Sequence, residues 1–156
     1  MKISKLIREN SFAIYGLGLS GTSVYKFLKK QKVKKIYTWD DKKKIKNKKK
    51  LNFFLKALNE VDYIVISPGI NIQKTKFKSI LLKNSDKIIT DLDLFYMQKI
   101  PVKSIVITGT NGKSTTCKLI QHILRTNKVN AQLGGNIGRP ILDLKKKKKS
   151  IVVIEA

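Results

Sequence analysis

Short apolar runs alternate along the chain with longer segments in which apolar residues recur every three or four positions. In the first part, the apolar runs predict four β-strands: Phe12–Tyr15, Lys35–Trp39, Tyr63–Ile66 and Lys87–Ile89. The segments of helical periodicity predict four helices: Ser20–Lys30, Leu51–Leu58, Phe77–Leu82 and Asp91–Met97, the last with Thr90 as its N-cap. Strands that alternate with helices are typical of a parallel sheet with helices on both faces.

The same alternation resumes after Pro101. It predicts three strands and two helices: Ser104–Thr108, Ser114–Arg125 (helix), Val129–Leu133, Pro140–Leu144 (short helix) and Ile151–Ile154. We therefore predict an α/β protein of two units, residues 1–98 and residues 99–156. The last strand is apolar throughout, as central strands of parallel sheets are. We expect further elements to follow it, so that the second unit is incomplete.

The charge is strongly basic, with 34 Lys and Arg against 10 acidic residues and a formal net charge of +24. Such a field attracts phosphate backbones, so a nucleic-acid-binding module is an open alternative. However, 31 of the 34 are Lys, whereas base readers and phosphate clamps favour Arg. The Lys runs fall in predicted loops and helix ends: Lys42–Lys44, Lys48–Lys50 and Lys145–Lys149. We interpret them as solvated surface and expect no nucleic-acid partner.

The compartment follows from three further features. Cys117 is the single cysteine, which excludes an internal disulfide and favours a reducing environment. Residues 1–10 lack the apolar core of a signal peptide, and no apolar run approaches the ~18 residues of a membrane span. We expect a cytoplasmic protein that does not associate with a membrane. We also expect it to be a monomer.

The first motif with chemical meaning is Gly16–Gly21, a complete G-x-G-x-x-G directly after a predicted strand and at the start of a helix. In this context Gly16 permits the tight turn, Gly18 lets a phosphate approach the backbone, and Gly21 allows close helix–strand packing. Asp40 follows the end of the second strand, where an acidic residue can bond a ribose or a base. Taken alone, this pattern indicates a Rossmann-like unit and an NAD-linked oxidoreductase.

The second motif lies at the end of the predicted strand Ser104–Thr108. Its sequence is Thr108-Gly109-Thr110-Asn111-Gly112-Lys113-Ser114-Thr115. A strand, a glycine-rich loop, Gly-Lys-Ser and a helix form the P-loop pattern, whose amides and Lys bind phosphates and whose Ser hydroxyl binds Mg²⁺. The match is to the short form, because Ile107 stands where the standard P-loop has its first Gly. One ligand needs only one such loop, so two loops indicate a nucleotide-linked substrate and ATP. Another class of P-loop NTPase is the remaining alternative.

Three weaker signals lie at the ends of other strands. Gly69 belongs to a Ser-Pro-Gly turn after the third strand, where α/β proteins bind ligands. Asn136 lies in a Gly-Gly-Asn-Ile-Gly turn, and Glu155 ends the last strand, where a carboxylate can hold Mg²⁺. We interpret His122 as a surface residue and Cys117 as a small core residue.

Taken in order, these motifs resemble the Mur ligases, a family of ATP-dependent ligases of peptidoglycan synthesis. Residues 107–116 are similar to the family's ATP loop, and residues 16–21, 67–70 and 134–138 are similar to its D-glutamate-adding branch. The resemblance runs from about residue 11 to the end. It implies that ATP phosphorylates UDP-N-acetylmuramoyl-L-alanine, that D-glutamate attacks the acyl phosphate, and that the first loop binds UDP rather than NAD.

The resemblance also assigns residues. It places seven on the UDP-linked substrate: Gly18, Leu19, Ser20, Asp40, Lys42, Gly69 and Asn136. It places seven on ATP: Gly109, Thr110, Asn111, Gly112, Lys113, Ser114 and Thr115. Lys113 and Glu155 are the catalytic candidates, and Ser114 with Glu155 the Mg²⁺ ligands. The family often has Arg where Lys42 stands.

Applied to the two units, the resemblance makes residues 1–98 a Rossmann-like domain for the UDP-linked substrate. Residues 99–156 become the first part of a P-loop α/β domain that binds ATP. The family also uses a downstream His, a modified Lys and a C-terminal domain, so we expect the 156 residues alone to be inactive.

Overall fold

The computed structural model describes residues 7–42, 48–99, 101–145 and 150–156. The chain divides into two compact units, Met1–Gln98 and Lys99–Ala156. Both are built from parallel strands joined by helices, which confirms the α/β class. In the described ranges, none of the helices has the length and apolar character needed to cross a membrane.

The first unit is a four-stranded sheet in the order β2-β1-β3-β4. Its strands are β1 (Phe12–Tyr15), β2 (Ile36–Trp39), β3 (Tyr63–Ile66) and β4 (Ile88–Ile89). All strand pairs are parallel. The four residues of β1 are at most 1% exposed, so both faces of this central strand are covered, as its apolar run predicts.

Among the described residues of this unit, residues 7–9 are helical, and four further helices accompany the sheet: α1 (Leu19–Lys30), α2 (Lys48–Glu60), α3 (Lys78–Lys83) and α4 (Asp91–Met97). Short 3₁₀ turns at Ile72–Lys74 and Ser85–Lys87 were not predicted. The prediction also placed Lys48–Lys50 in a loop, and this was wrong, because these residues form the first described turn of α2.

One face of the sheet buries an aromatic cluster formed by Tyr15, Trp39, Phe54 and Phe77. The rings of Tyr15 and Phe77 meet edge to face with centroids 5.1 Å apart, and the Trp39 and Phe77 rings do so at 6.0 Å. Such pairs contribute about 0.5–1.5 kcal/mol each beyond the area they bury. The cluster therefore fixes the carboxyl ends of β1 and β2 against the segment that leads into α3.

The start of α4 carries the predicted N-cap. The Thr90 hydroxyl accepts a hydrogen bond from Asp93 N at 3.3 Å, and the Asp93 carboxylate accepts one from Thr90 N at 2.7 Å. This reciprocal pair is a capping box, worth about 1 kcal/mol of helix stability. Thr90 as N-cap is therefore confirmed.

The second unit is a three-stranded parallel sheet in the order β5-β7-β6. Its elements are β5 (Lys103–Ile107), α5 (Lys113–Thr126), β6 (Ala131–Gly135), a 3₁₀ turn at Ile141–Asp143, and β7 (Ile151–Glu155). The last strand lies in the middle with Val152, Val153 and Ile154 buried, as its continuous apolar run predicts. Helix α5 packs on all three strands, and Cys117 on this helix is fully buried.

Strand β6 differs from the prediction by two residues at each end. Val129, predicted to start the strand, instead closes α5, because its N–H donates to Leu124 O at 2.9 Å. Lys128 just before it has φ +60, the left-handed conformation that ends many helices. At the other end the strand continues through Gly134 and Gly135, because Gly135 pairs with Glu155 of β7.

Candidate nucleotide-binding sites

The carboxyl ends of β1 and β3 form the first candidate site. From β1 the chain moves to one neighbour, β2, and then returns to the other neighbour, β3, so the strand order reverses at β1. In open parallel sheets, ligands bind outside the carboxyl ends of the strands at such a reversal. Gly16 follows β1 and Ser67 follows β3, and Ser67 Oγ donates to Gly16 O at 2.9 Å. The structure thus brings two of the sequence motifs together.

The glycines of the first loop have distinct structural reasons. Gly16 adopts φ +91, which favours glycine. A Cβ at Gly21 would lie 1.8 Å from Gly16 O, so α1 packs directly on the loop. By contrast, a Cβ at Gly18 or at Gly69 would meet nothing within 4 Å. Open space therefore lies beside the two glycines that were predicted to contact the substrate.

Helix α1 begins at this open space. Gly18 is its N-cap and supplies no side-chain hydrogen bond, and the first intrahelical bond runs from Thr22 N to Gly18 O at 2.9 Å. The amides of Leu19 and Ser20 come before Thr22 in the first turn, where backbone N–H groups have no acceptor within the helix. Such N–H groups at a helix N-terminus form a site for an anion. The Leu19 side chain is 82% exposed, so it has no role in the core.

Asp40 holds the loop from the neighbouring strand. Its carboxylate accepts hydrogen bonds from Leu17 N at 2.6 Å and from Lys42 N at 2.8 Å. Asp40, which the family resemblance places on the UDP-linked substrate, therefore lies beside the glycine loop. Lys42 is exposed next to it.

Asp91, interpreted from sequence only as a first-turn residue of its helix, also belongs to this end of the sheet. It is buried, and its carboxylate accepts a hydrogen bond from the side chain of Ser20. Burial raises the pKa of Asp91, although hydrogen bonds from Leu92 N and Ser20 oppose the rise. Sequence reasoning missed this contact because nothing in the local pattern links α4 to the start of α1.

The second candidate site is the loop between β5 and α5. Gly109 and Gly112 adopt φ +141 and +75, and a Cβ at either would meet nothing within 4 Å. Thr110, Asn111 and Thr115 are exposed. Lys113 begins α5, and its ammonium group donates to Gly109 O at 2.5 Å. The loop is thus open on its outer side, with the lysine folded across it.

Ser114 and Glu155 meet beside this loop. Ser114 Oγ donates to Glu155 Oε2 at 2.7 Å, and Glu155 is only 7% exposed at the end of β7. A hydroxyl and a carboxylate are the hard oxygen donors that Mg²⁺ prefers, so this pair fits a Mg²⁺ site. Burial and the nearby Glu155 charge raise the pKa of the Cys117 thiol. Across the described ranges, no group of three or more His, Cys, Asp and Glu could hold a metal ion.

The turn at Gly134–Gly138 packs on the end of the same strand. Asn136 N donates to Glu155 O at 3.0 Å, and a Cβ at Gly135 would lie 2.2 Å from that oxygen. The Asn136 side chain is exposed. The structure therefore brings Asn136, Glu155 and Ser114 to one end of the second sheet, while His122 is exposed on α5 as predicted.

Parallel strands that end in glycine-rich loops, each followed by a helix N-terminus, are typical of α/β proteins that bind nucleotides. Residues 10–89 match the family model of the Mur ligase MurD-like, N-terminal domain. The match covers half of the chain, and the chain belongs to this family.

Curated relatives carry the name UDP-N-acetylmuramoylalanine–D-glutamate ligase. The relative from Wolbachia sp. subsp. Brugia malayi (strain TRS) is 39% identical, over 98% of this chain and 33% of its own length. Those from Buchnera aphidicola subsp. Acyrthosiphon pisum (strain Tuc7) and Rickettsia prowazekii (strain Madrid E) are 37% and 36% identical, over 91% and 94% of this chain. The chain spans about a third of the length of these relatives.

Proposed function

We propose that this chain supplies the UDP-substrate unit and the ATP-phosphate loop of a ligase that joins D-glutamate to UDP-N-acetylmuramoyl-L-alanine. The family membership and the names of the relatives support this proposal. The observation that carries it is the presence of two glycine loops, each with open space beside a central glycine and each at the start of a helix. A ligase that joins a nucleotide-linked acid to an amino acid at the expense of ATP needs two such loops.

In the first unit, the diphosphate of the UDP-linked substrate would lie on the amides that open α1, at Leu19 and Ser20. Gly18 and Gly69 leave the room that such a ligand requires, because a Cβ at either meets nothing within 4 Å. Asp40 and Lys42 would face the uridine.

In the second unit, the loop of residues 109–115 would hold the ATP phosphates, with Lys113 on the β- and γ-phosphates. Ser114 and Glu155 would hold Mg²⁺, whose charge offsets the negative charge of the phosphoryl group when it is bound. The substrate carboxylate would attack the γ-phosphorus to give an acyl phosphate and ADP. The amine of D-glutamate would then attack the acyl carbon, and loss of inorganic phosphate and a proton would leave the amide.

The test is isothermal titration of the 156-residue chain with UDP-N-acetylmuramoyl-L-alanine, ATP–Mg²⁺ and NADH. We expect binding of the first two and no response to NADH. Lys113→Ala should weaken ATP–Mg²⁺ binding by at least about tenfold, because a charge-assisted contact to phosphate is worth about 1.5–3 kcal/mol. The same change should leave the UDP-linked ligand unaffected.

Lys118→Ala is the matched control, because Lys118 is an exposed lysine of the same helix outside the loop. It should leave both affinities unchanged. Equal loss of both ligands in Lys113→Ala would contradict the assignment of two separate loops. Binding of NADH without binding of the UDP-linked ligand would favour an oxidoreductase instead.

A further inference from the structure

A polar and aromatic cluster lies at the carboxyl ends of β1 and β2, and the function proposed above assigns no role to it. We call it the Asp41 cluster, and it consists of Tyr15, Trp39, Asp41, Thr75 and Lys76. Tyr15 and Trp39 are the last residues of their strands, and Asp41 follows in the turn after β2. Thr75 and Lys76 lie in the segment between β3 and α3. The cluster therefore joins three parts of the chain that are distant in sequence.

The Asp41 carboxylate is its centre and receives donors from all three parts. Trp39 Nε1 donates to it at 2.8 Å, the Lys76 ammonium lies 2.8 Å from it, and the Tyr15 hydroxyl also donates to it. Since the Tyr15 hydrogen points to Asp41, the Thr75 hydroxyl donates to the Tyr15 oxygen, 2.5 Å away. The hydrogen bonds thus run in one direction, from the Thr75 hydroxyl to the Tyr15 hydroxyl and from there to the Asp41 carboxylate.

The pKa shifts in the cluster follow from its contacts. Burial raises the pKa of Asp41, but hydrogen bonds from Lys76, Tyr15 and Trp39 outweigh burial and hold that pKa below its ordinary value. Burial and the hydrogen bond to Asp41 raise the pKa of Tyr15 to about 12. Lys76 also lies over the Trp39 ring, 4.6 Å from its centroid, which is a cation–π contact.

The position of Asp41 next to Asp40 connects this cluster to the glycine loop. Asp40 holds Leu17 N at 2.6 Å, so the turn that carries both carboxylates sets the position of the loop. Two adjacent carboxylates would also repel a diphosphate ligand unless a cation compensates one of them. Lys76 supplies that cation and, at the same time, ties the turn to the segment before α3.

We propose that Lys76 is a positioning residue for the nucleotide site of the first unit, acting through Asp41 on the turn that carries Asp40. The proposal rests on the function proposed above, in which this site takes a uridine diphosphate ligand. Lys76 acts without touching the ligand. Its loss frees the turn, loosens the bond from Leu17 N to Asp40 and leaves the charge of Asp41 uncompensated.

The test combines ligand binding with amide exchange in the 156-residue chain. Lys76→Met keeps the length of the side chain and removes its charge, Lys76→Arg keeps the charge, and Lys78→Met removes a nearby exposed lysine as the control. We expect Lys76→Met to weaken UDP-N-acetylmuramoyl-L-alanine about fivefold, which is the upper range for a partly exposed ion pair. Lys76→Arg should stay within about twofold, and Lys78→Met and ATP–Mg²⁺ binding should not change.

Two further readouts separate positioning from a general loss of fold. Exchange of the Leu17 amide hydrogen, measured by NMR without ligand, should be faster in Lys76→Met, while amides of β3 keep their protection. Lowering the pH should recover part of the lost affinity in Lys76→Met, because Asp41 has lost a partner that holds its pKa down and its protonation removes the uncompensated charge. The Arg variant should restore both.

The outcomes distinguish the two proposals. If the wild-type chain does not bind the UDP-linked ligand, the proposed function fails, and Leu17 exchange alone then decides the role of Lys76. Unchanged Leu17 exchange in Lys76→Met would overturn that role. Equal loss of binding in Lys76→Met and Lys78→Met would also overturn it, since only overall charge would then matter.

Discussion

Replacing Gly21 with alanine tests how closely α1 packs on the loop after β1. The added methyl carbon would lie 1.8 Å from Gly16 O, 2.8 Å from Ser67 Oγ and 2.9 Å from Gly16 C, all below the 3.0 Å that Cβ atoms keep in folded proteins. Ser67 can rotate away, but Gly16 contributes backbone atoms. Relief therefore requires the helix and the strand end to separate by more than about 1 Å, the shortfall at Gly16 O.

The expected cost follows from two opposing effects. Overpacking of this kind costs about 1–3 kcal/mol, and a contact with rigid backbone belongs at the upper end of that range. Alanine within a helix regains up to about 1 kcal/mol over glycine. The net loss is therefore about 2 kcal/mol or more, which lowers the Tm of a unit of this size by about 10 °C.

Thermal and urea unfolding of Gly21→Ala and Gly18→Ala give a matched comparison within one motif. A Cβ at Gly18 meets nothing within 4 Å, so this variant should lose at most about 1 kcal/mol, the cost of alanine at an N-cap, and lose affinity only for the UDP-linked ligand. Gly21→Ala should lose stability before any ligand is added. A Gly21→Ala chain as stable as wild type would refute the close packing of α1 on Gly16.

Two further predictions concern the buried carboxylates. Glu155→Gln should fold normally and should make ATP affinity insensitive to Mg²⁺, because the amide cannot replace the anionic oxygen beside Ser114; a retained Mg²⁺ effect in titrations with and without EDTA would contradict this. Asp91→Asn should be at least as stable as wild type at pH 7 and lose this advantage toward pH 4. The reason is that the pKa of Asp91 is raised, so its ionisation destabilises the folded state. This destabilisation is absent at a pH below the ordinary pKa of Asp, and it is complete at a pH above the raised pKa of the folded state. Urea midpoints between pH 4 and 7 check the sign, and an Asn variant that is about 1 kcal/mol weaker at pH 7 would contradict it.

The elements that sequence predicted best are those with local signals at their ends. Strands β1 and β3 have the predicted bounds, because Gly16 and the Ser67-Pro68-Gly69 turn end their apolar runs. Helix α4 has the predicted bounds because Thr90 and Asp93 form its capping box. In each case the residues at the end of the element carry the signal, through their backbone preferences or their hydrogen bonds.

Strand β6 shows where such reasoning fails. Val129 is β-branched and follows a helical segment, so its residue type predicts the start of a strand. Its N–H instead donates to Leu124 O at the end of α5. Lys128 adopts the left-handed conformation there without being glycine or asparagine, so the usual marker is missing. The end of the helix is decided by its hydrogen bonds rather than by residue type.

The partners of the site residues could not be predicted for a related reason. The motifs predicted the two loops and the place of Glu155, since glycines and strand ends have recognisable patterns. The contacts between Ser20 and Asp91 and between Lys76 and Asp41 join residues far apart in sequence. Only the folded sheet brings their strand ends together, and no periodicity records which side chains then meet.

The central place of the last strand governs the order in which the second unit assembles. Strands β5 and β6 each pair with β7. Neither can form its interstrand hydrogen bonds until residues 151–155 have been synthesised and lie between them. Every pairing in this sheet closes a long stretch of chain, which slows folding. Glu155 is the last residue of β7. The step that inserts β7 between β5 and β6 therefore also brings the Glu155 carboxylate into contact with Ser114.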